Sequence, residues 1–254
     1  MDVLLDLWGV LADSRKMEPA YRRRIAELLS RRHGGSAGDW MRAHDVAAAW
    51  YSDHMRKEET WSQGTWREVV ERADAENLVR MFREMGITPP QNPLSAERSF
   101  EVEVMSAIDA AFPDARPAVS RLNRAGHRLC VSTNATESNA RGSLQGARLL
   151  MEFHDIFTGE RLNAGKTTPE YWRGVQEALA LDLAHAVVVD DRLDYLEAAA
   201  SVGIRALLLD RTGAHRPEAM PRFVEATLQN LAALPAWIEA REESESKGAK
   251  RTST

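Results

Sequence analysis

The chain has 254 residues, with 33 lysines and arginines against 38 aspartates and glutamates, a formal net charge of −5 and one cysteine. Its hydrophobic (44%) and charged (28%) fractions exclude wholesale disorder and collagen-like repeats, and its mild acidity excludes a dominant basic surface for nucleic acid. Cys130 alone can form neither an intramolecular disulfide nor a thiolate cluster, and no apolar run reaches the roughly 18 residues of a membrane span. A soluble cytoplasmic protein is therefore expected, acting on a small molecule, with no nucleic-acid or membrane partner.

In chain order, the first expected strand is Val3-Leu4-Leu5, which runs straight into Asp6. Residues 15–109 show no convincing strand and predict helices over 18–32, 39–57, 66–84 and 96–111. They are separated by His33-Gly34-Gly35-Ser36 and by the Pro-rich stretch 88–93. From there the pattern alternates. Helices are predicted over 117–124, 138–151, 169–181 and 195–202. Strands are predicted at Leu129-Cys130-Val131, Ala186-Val187-Val188-Val189 and Ala206-Leu207-Leu208-Leu209. Unbroken apolar strands alternating with helices mean an α/β core, a Rossmann-like parallel sheet covered on both faces. Its ligands bind beyond the carboxyl ends of the strands, where Asp6, Thr133 and Asp190 sit. The expected division is a core of 1–14 and 110–241, an inserted α-helical cap of 15–109, and a disordered tail of 242–254, charged and without an apolar face.

Four motifs then fall in order. They are Leu5-Asp6-Leu7-Trp8-Gly9-Val10-Leu11 with Asp13-Ser14, Val131-Ser132-Thr133-Asn134, Gly165-Lys166 with Pro169-Glu170, and Val189-Asp190-Asp191 with Asp194. Together they resemble the haloacid dehalogenase superfamily with its first-type helical cap. The resemblance implies Asp6 as covalent nucleophile, Lys166 as a fixed positive charge, and Thr133 with its following amide as a phosphoryl-oxygen ligand. Trp8 and Asn134 are expected to border the substrate. It implies Mg²⁺ held by Asp6, the Trp8 backbone carbonyl, Asp190 and Asp191, with Asp194 a further candidate for its water shell. The activity implied is Mg²⁺-dependent hydrolysis of a small phosphate-containing metabolite through an aspartyl-phosphate.

Trp8 departs from the family pattern. Most family phosphatases carry a second Asp there, which protonates the leaving oxygen, and an indole has no proton to give near neutral pH. Two other readings stay open: hydrolysis at a non-phosphate bond such as carbon–halogen through an aspartyl ester, and a catalytically weakened member that binds a ligand or partner. The Asp190-Asp191 pair favours metal-dependent phosphoryl chemistry, since the dehalogenase pattern dispenses with metal. His33, His44 and His54 are the cap's candidate substitute acids, against a plainer role as helix or loop histidines. Trp40, Trp50, Trp61 and Trp66 are expected mainly to build the cap's core, with one or two edges facing the site. Cys130, inside an apolar strand, is expected to be buried and inert.

Overall fold

The computed structural model describes residues 1–252. Six parallel strands form one sheet in the order β3-β2-β1-β4-β5-β6. They are β1 (Asp2–Leu5), β2 (Arg128–Thr133), β3 (Asp155–Thr158), β4 (Ala186–Asp190), β5 (Arg205–Leu209) and β6 (Val224–Leu228). β1 lies centrally, paired with β2 on one side and β4 on the other. The apolar runs make sense because both faces are covered. Val3, Leu5, Val131, Val187, Val189 and Leu207 join one buried cluster, while Leu4, Cys130, Val188 and Leu208 join the other. Alternate residues serve opposite cores, so the middle of these strands is apolar and polar residues such as Thr133 and Asp190 stand at their ends.

Eleven α-helices complete the described chain: α1 (Ser14–His33), α2 (Ala37–Arg56), α3 (Glu58–Trp61), α4 (Trp66–Glu84), α5 (Pro93–Met105), α6 (Ala115–Arg124), α7 (Glu137–Gly146), α8 (Gly159–Leu162), α9 (Pro169–Leu179), α10 (Leu193–Ser201) and α11 (Leu234–Thr252). α9 and α10 cover one face of the sheet through Tyr171, Trp172, Val175, Leu196 and Ala199. The other face is covered by α6, α7 and α11 through Val119, Leu122, Leu144, Leu234 and Ile238.

Helices α1–α5 form the cap, inserted between β1 and β2. Local chemistry sets its boundaries. Ser36 caps α2 by accepting from Asp39 N, Thr65 and Glu68 form a reciprocal capping box on α4, and Asn92 with Pro93 opens α5. Its two strands of connection to the core run side by side, with Phe112 N donating to Leu11 O (3.0 Å) and Asp13 N to Ala110 O (2.9 Å).

Four expectations are corrected. The helix expected to reach residue 111 ends at Met105, because 106–112 must return to the core and pair there. The one expected over 138–151 ends at Gly146, and Arg148 turns left-handed (φ 54°) to lead into β3. β3 and β6 were not legible, being short edge strands; β6 alternates burial rather than running apolar. The segment 242–254 is not a loose tail through its described part. α11 continues to Thr252, with Glu242 Oε1 3.5 Å from the N-terminal nitrogen and Glu245 accepting from Arg205 (2.6 Å). Residues 253–254 of that segment lie outside the described residues.

Candidate active site

Asp6 follows β1 directly and is almost wholly buried, its backbone N–H bonded to Val189 O at 3.0 Å. Lys166, reached from the neighbouring loop, has no exposed surface. Its Nζ donates to Asp6 Oδ1 (2.7 Å), Asp190 Oδ2 (2.5 Å) and Ser132 O (2.9 Å). A buried ammonium is tolerated only with partners of this quality, and here each of its three protons has one. Burial alone would lower the Lys166 pKa, but the Asp190 and Asp6 carboxylates more than reverse it and hold the group charged. Burial pushes Asp6 up to about 7 against the pull of Lys166, and raises Asp190 likewise.

One carboxylate oxygen from each of Asp6, Asp190 and Asp191 lies within 4.8 Å of the others. Gly9 is what lets Asp191 approach. It adopts φ +90°, and a Cβ there would fall 2.0 Å from Asp191 Oδ2. The tight turn from Leu7 to Ala12 is closed by Gly9 N to Ala12 O (2.8 Å) and Ala12 N to Leu7 O (2.8 Å). Arg211, after β5, pins it by donating to Gly9 O (3.0 Å) and Val10 O (2.8 Å).

Thr133 ends β2, and its Oγ1 accepts from Ala135 N at 3.1 Å, leaving the hydroxyl proton free to donate elsewhere. Asn134 is a brace: its Oδ1 accepts from Lys166 N (2.9 Å) and its Nδ2 donates to Tyr195 Oη (3.0 Å). Asp194 stands apart, in a bidentate pair with Arg192 that holds its carboxyl below the usual range.

Between the cap and the loops after β1 and β2 lies a cavity of about 510 Å³. Trp8, Asn134 and Ala135 form its core side, while Trp61, Trp66, Asp74 and Glu97 are among its cap side. Of the four cap tryptophans, Trp40 is fully buried against Phe82 and Trp50 stacks on His54 (4.9 Å), so two of the four reach the cavity. None of the three candidate histidines lines it. His33 packs edge-on against Phe82, His44 lies beside Tyr21, and His54 stays with Trp50. Cys130 is buried and its thiol is pushed up to about 12, chiefly by burial.

Comparison with known proteins decides the family. The haloacid dehalogenase-like hydrolase model matches residues 3–203. The chain belongs to that family. It is 33% identical over 111 residues to "Phosphatase MT3486" of Mycobacterium tuberculosis (strain CDC 1551 / Oshkosh), which covers 43% of this chain and 51% of that protein. It is 29% identical over 161 residues to "Enolase-phosphatase E1" of Nocardia farcinica, covering 59% of this chain and 67% of the other. The chain thus spans about half the length of the mycobacterial relative. Among solved structures, the 2-haloacid dehalogenase of Pseudomonas syringae pv. Tomato DC3000 superposes with a TM-score of 0.68 at 20% identity, over 95% of this chain and 99% of that one. That likeness speaks for the shared fold alone: an α/β core with a helical cap. Among the described residues no helix is long and apolar enough to cross a membrane.

Several residues that shape the site were not singled out from the sequence. Tyr195 places its ring 4.9 Å from Lys166 Nζ, and Ser132 contributes only a carbonyl, which any residue type would supply. Asp74, Asn77, Glu97 and Glu101 line the cavity from the cap. Their signal was available. Asp74 and Asn77 interrupt the apolar run of α4 that includes Val70, Ala73, Leu78 and Met81, and Glu97 and Glu101 stack one turn apart beside Phe100 and Val104.

Proposed function

We propose that the chain hydrolyses a small phosphate-containing molecule through an aspartyl-phosphate on Asp6. The observation that carries this reading is the meeting of three carboxylates, Asp6, Asp190 and Asp191, the first two of which share one buried ammonium, that of Lys166. An all-oxygen donor set of this kind, with a glycine cradle opposite Asp191, fits Mg²⁺ rather than a softer metal. Asp6, Asp190 and Asp191 would hold it with the Trp8 carbonyl, and when bound it supplies charge neutralisation for the phosphate.

The remaining steps belong to the chain's own side chains. An Asp6 carboxylate oxygen bonds to phosphorus as the bond from phosphorus to the leaving oxygen breaks. Water then attacks phosphorus and the bond to Asp6 breaks; the proton that the alkoxide takes up from solvent is balanced by one shed from the attacking water, and inorganic phosphate leaves with Asp6 regenerated. Lys166 favours the ionised form of Asp6 against the effect of burial and lowers the repulsion between two anions. The Thr133 hydroxyl donates to a phosphoryl oxygen, and Asn134 keeps the Lys166 loop in register. Trp8 shapes the cavity wall and donates no proton, so the leaving group must depart without help from that position.

The cavity wall speaks against halide displacement from a haloacid. Its carboxylate would enter a space lined by Asp74, Glu97 and Glu101 and by no basic residue.

The test is phosphate release on a broad panel of phosphomonoesters, with and without Mg²⁺, for the wild type, Asp6→Asn and Trp8→Asp. Expected are Mg²⁺-dependent release by the wild type, loss in Asp6→Asn by at least 10³-fold, and faster turnover of poor leaving groups in Trp8→Asp by roughly 10–10²-fold. Metal-independent turnover of carbon–halogen substrates, abolished in Asp6→Asn, would overturn the proposal. So would inactivity of the wild type with a gain only in Trp8→Asp.

A further inference from the structure

We propose that the cavity between cap and core selects a substrate whose non-phosphate part carries an organic ammonium group. This deepens the phosphomonoester reading and rests on it.

The first observation is the mismatch of donors and acceptors. Glu97, Asn77 and Asp74 line the cavity, and the enclosed oxygens Glu97 Oε2, Asn77 Oδ1 and Asp74 Oδ2 have no hydrogen-bond donor, against one unpaired buried donor beside them, Arg98 Nη1. Buried acceptors without partners cost roughly 1–3 kcal/mol each, more when charged, so a ligand that brings N–H donors recovers that loss.

The second observation is charge. Asp74, Glu97, Glu101 and Glu160 surround a single guanidinium, that of Arg98. Arg98 reaches Asp74 at 2.8 Å and Glu160 at 3.2 Å, but Glu97 and Glu101 only at 3.7 Å. Glu101 is otherwise satisfied, accepting from Thr136 (2.8 Å), Ser138 (2.5 Å) and Asn139 (2.8 Å). Glu97 is left as the carboxylate without a counter-charge of its own. Burial, with Glu101 and Asp74 close by, drives its pKa well above the usual carboxylate range, so the free protein favours the neutral acid and a bound cation would draw off its proton.

The third observation is aromatic. Trp8, Tyr21, Tyr51, Trp61 and Trp66 line the same space, with the Trp61 and Trp66 rings 6.2 Å apart. Indole and phenol faces attract a cation, and more strongly where water is excluded. Carboxylates and aromatic faces around one cavity, with no basic lining residue, are what an ammonium needs and what an anion or a plain hydrocarbon does not. The leaving group gains as well. A nearby ammonium withdraws electrons from an alkoxide and makes it depart more readily, which suits a site where Trp8 stands in place of a proton donor.

The test is binding and needs no turnover. Wild-type protein is titrated with 2-phenylethylammonium and with its neutral isostere 2-phenylethanol, followed by tryptophan fluorescence and calorimetry. Expected is at least tenfold tighter binding of the ammonium, falling to threefold or less in Glu97→Gln and in Asp74→Asn, each first checked for native circular dichroism. Two carboxylate-to-amide variants guard against one failing to fold. Equal affinity for the two probes, binding of neither, or a preference untouched in both variants would overturn the proposal. Phosphate release without ammonium preference would remove the cavity reading and leave the hydrolase reading standing. Ammonium preference without phosphate release would do the reverse.

Discussion

At the scale of single residues, Lys166 and Gly9 carry the arrangement. Lys166 is the one cation between two buried carboxylates, so Lys166→Met leaves Asp6 and Asp190 facing each other uncompensated. Breaking a buried pair this way costs roughly 3–5 kcal/mol. The expected result is lost activity together with a denaturation midpoint lowered in urea, and unchanged stability would mean the three groups are not coupled as described. Gly9→Ala tests a different point. A methyl at φ +90° and 2.0 Å from Asp191 Oδ2 must push that carboxylate away, while Asp6 and Lys166 stay put. Mg²⁺ should then raise the melting temperature of Gly9→Ala less than that of the wild type, with apparent affinity reduced about tenfold or more. Equal metal stabilisation would remove Asp191 from the proposed donor set. Asp6, Lys166, Asp190 and Asp191 were legible in the sequence because each ends or directly follows a strand, or follows a glycine, in an ordered motif. Arg211 was not, since its role is to bond two carbonyls of a turn two hundred residues away, and carbonyls leave no mark on residue type.

At the scale of elements, the cap is held closed by contacts that small residues permit. Trp66 and Arg67 open α4 and dock on the loop around α8. Arg67 donates from its side chain to Glu160 O (2.8 Å) and from its backbone to Asn163 Oδ1 (2.9 Å). The Trp66 ring lies where Gly159 and Gly165 have no side chain; a Cβ at Gly159 would meet it at 2.5 Å. Gly159→Ala should therefore lift the start of α4 and open the cavity, raising KM several-fold with the core fold intact. Pairing it with Trp66→Leu should recover part of the loss. Steady-state kinetics of the two single variants and the double variant decide the matter, and strictly additive effects would mean the two positions do not meet. This docking was invisible in the sequence. The insertion and four of its helices were readable from periodicity and from breakers such as Gly34 and Pro93, yet which tryptophan faces the core depends on helix rotation. Trp40 and Trp66 are alike in type and opposite in duty: one is buried inside the cap, the other packs against Gly159 and Gly165 of the core.

At the scale of the whole molecule, the buried carboxylates of the cap carry an electrostatic tension that the core shows only around Asp6, Asp190 and Asp191. In the core, carboxylates such as Asp210 are held below their ordinary range: burial would raise Asp210, and the backbone N–H groups of His215 and Ala214 outweigh it. Such a group adds stability above its unfolded pKa, lost as pH falls through the folded one. For Asp74, buried in the cap, the sign is opposite. Burial pushes Asp74 up to about 6 despite Arg98, so the folded state binds its proton more tightly than the unfolded chain does. Its favourable contribution is then complete below the unfolded value of about 4, declines between about 4 and 6, and is gone above. Removing the charge should reverse that decline. The melting temperature of Asp74→Asn minus that of the wild type should rise as pH goes from 4 to 6.5 and level off beyond. At roughly 1.4 kcal/mol for each pH unit of displacement, the full span is about 3 kcal/mol, or several degrees for a chain of this size. Thermal melts across that range read it directly. A difference that stays constant with pH would mean that Asp74 is not forced toward its neutral form in the free protein. A difference that shrinks when 2-phenylethylammonium is present would tie the tension to the cavity, because the bound cation then stabilises the charge the folded cap otherwise resists.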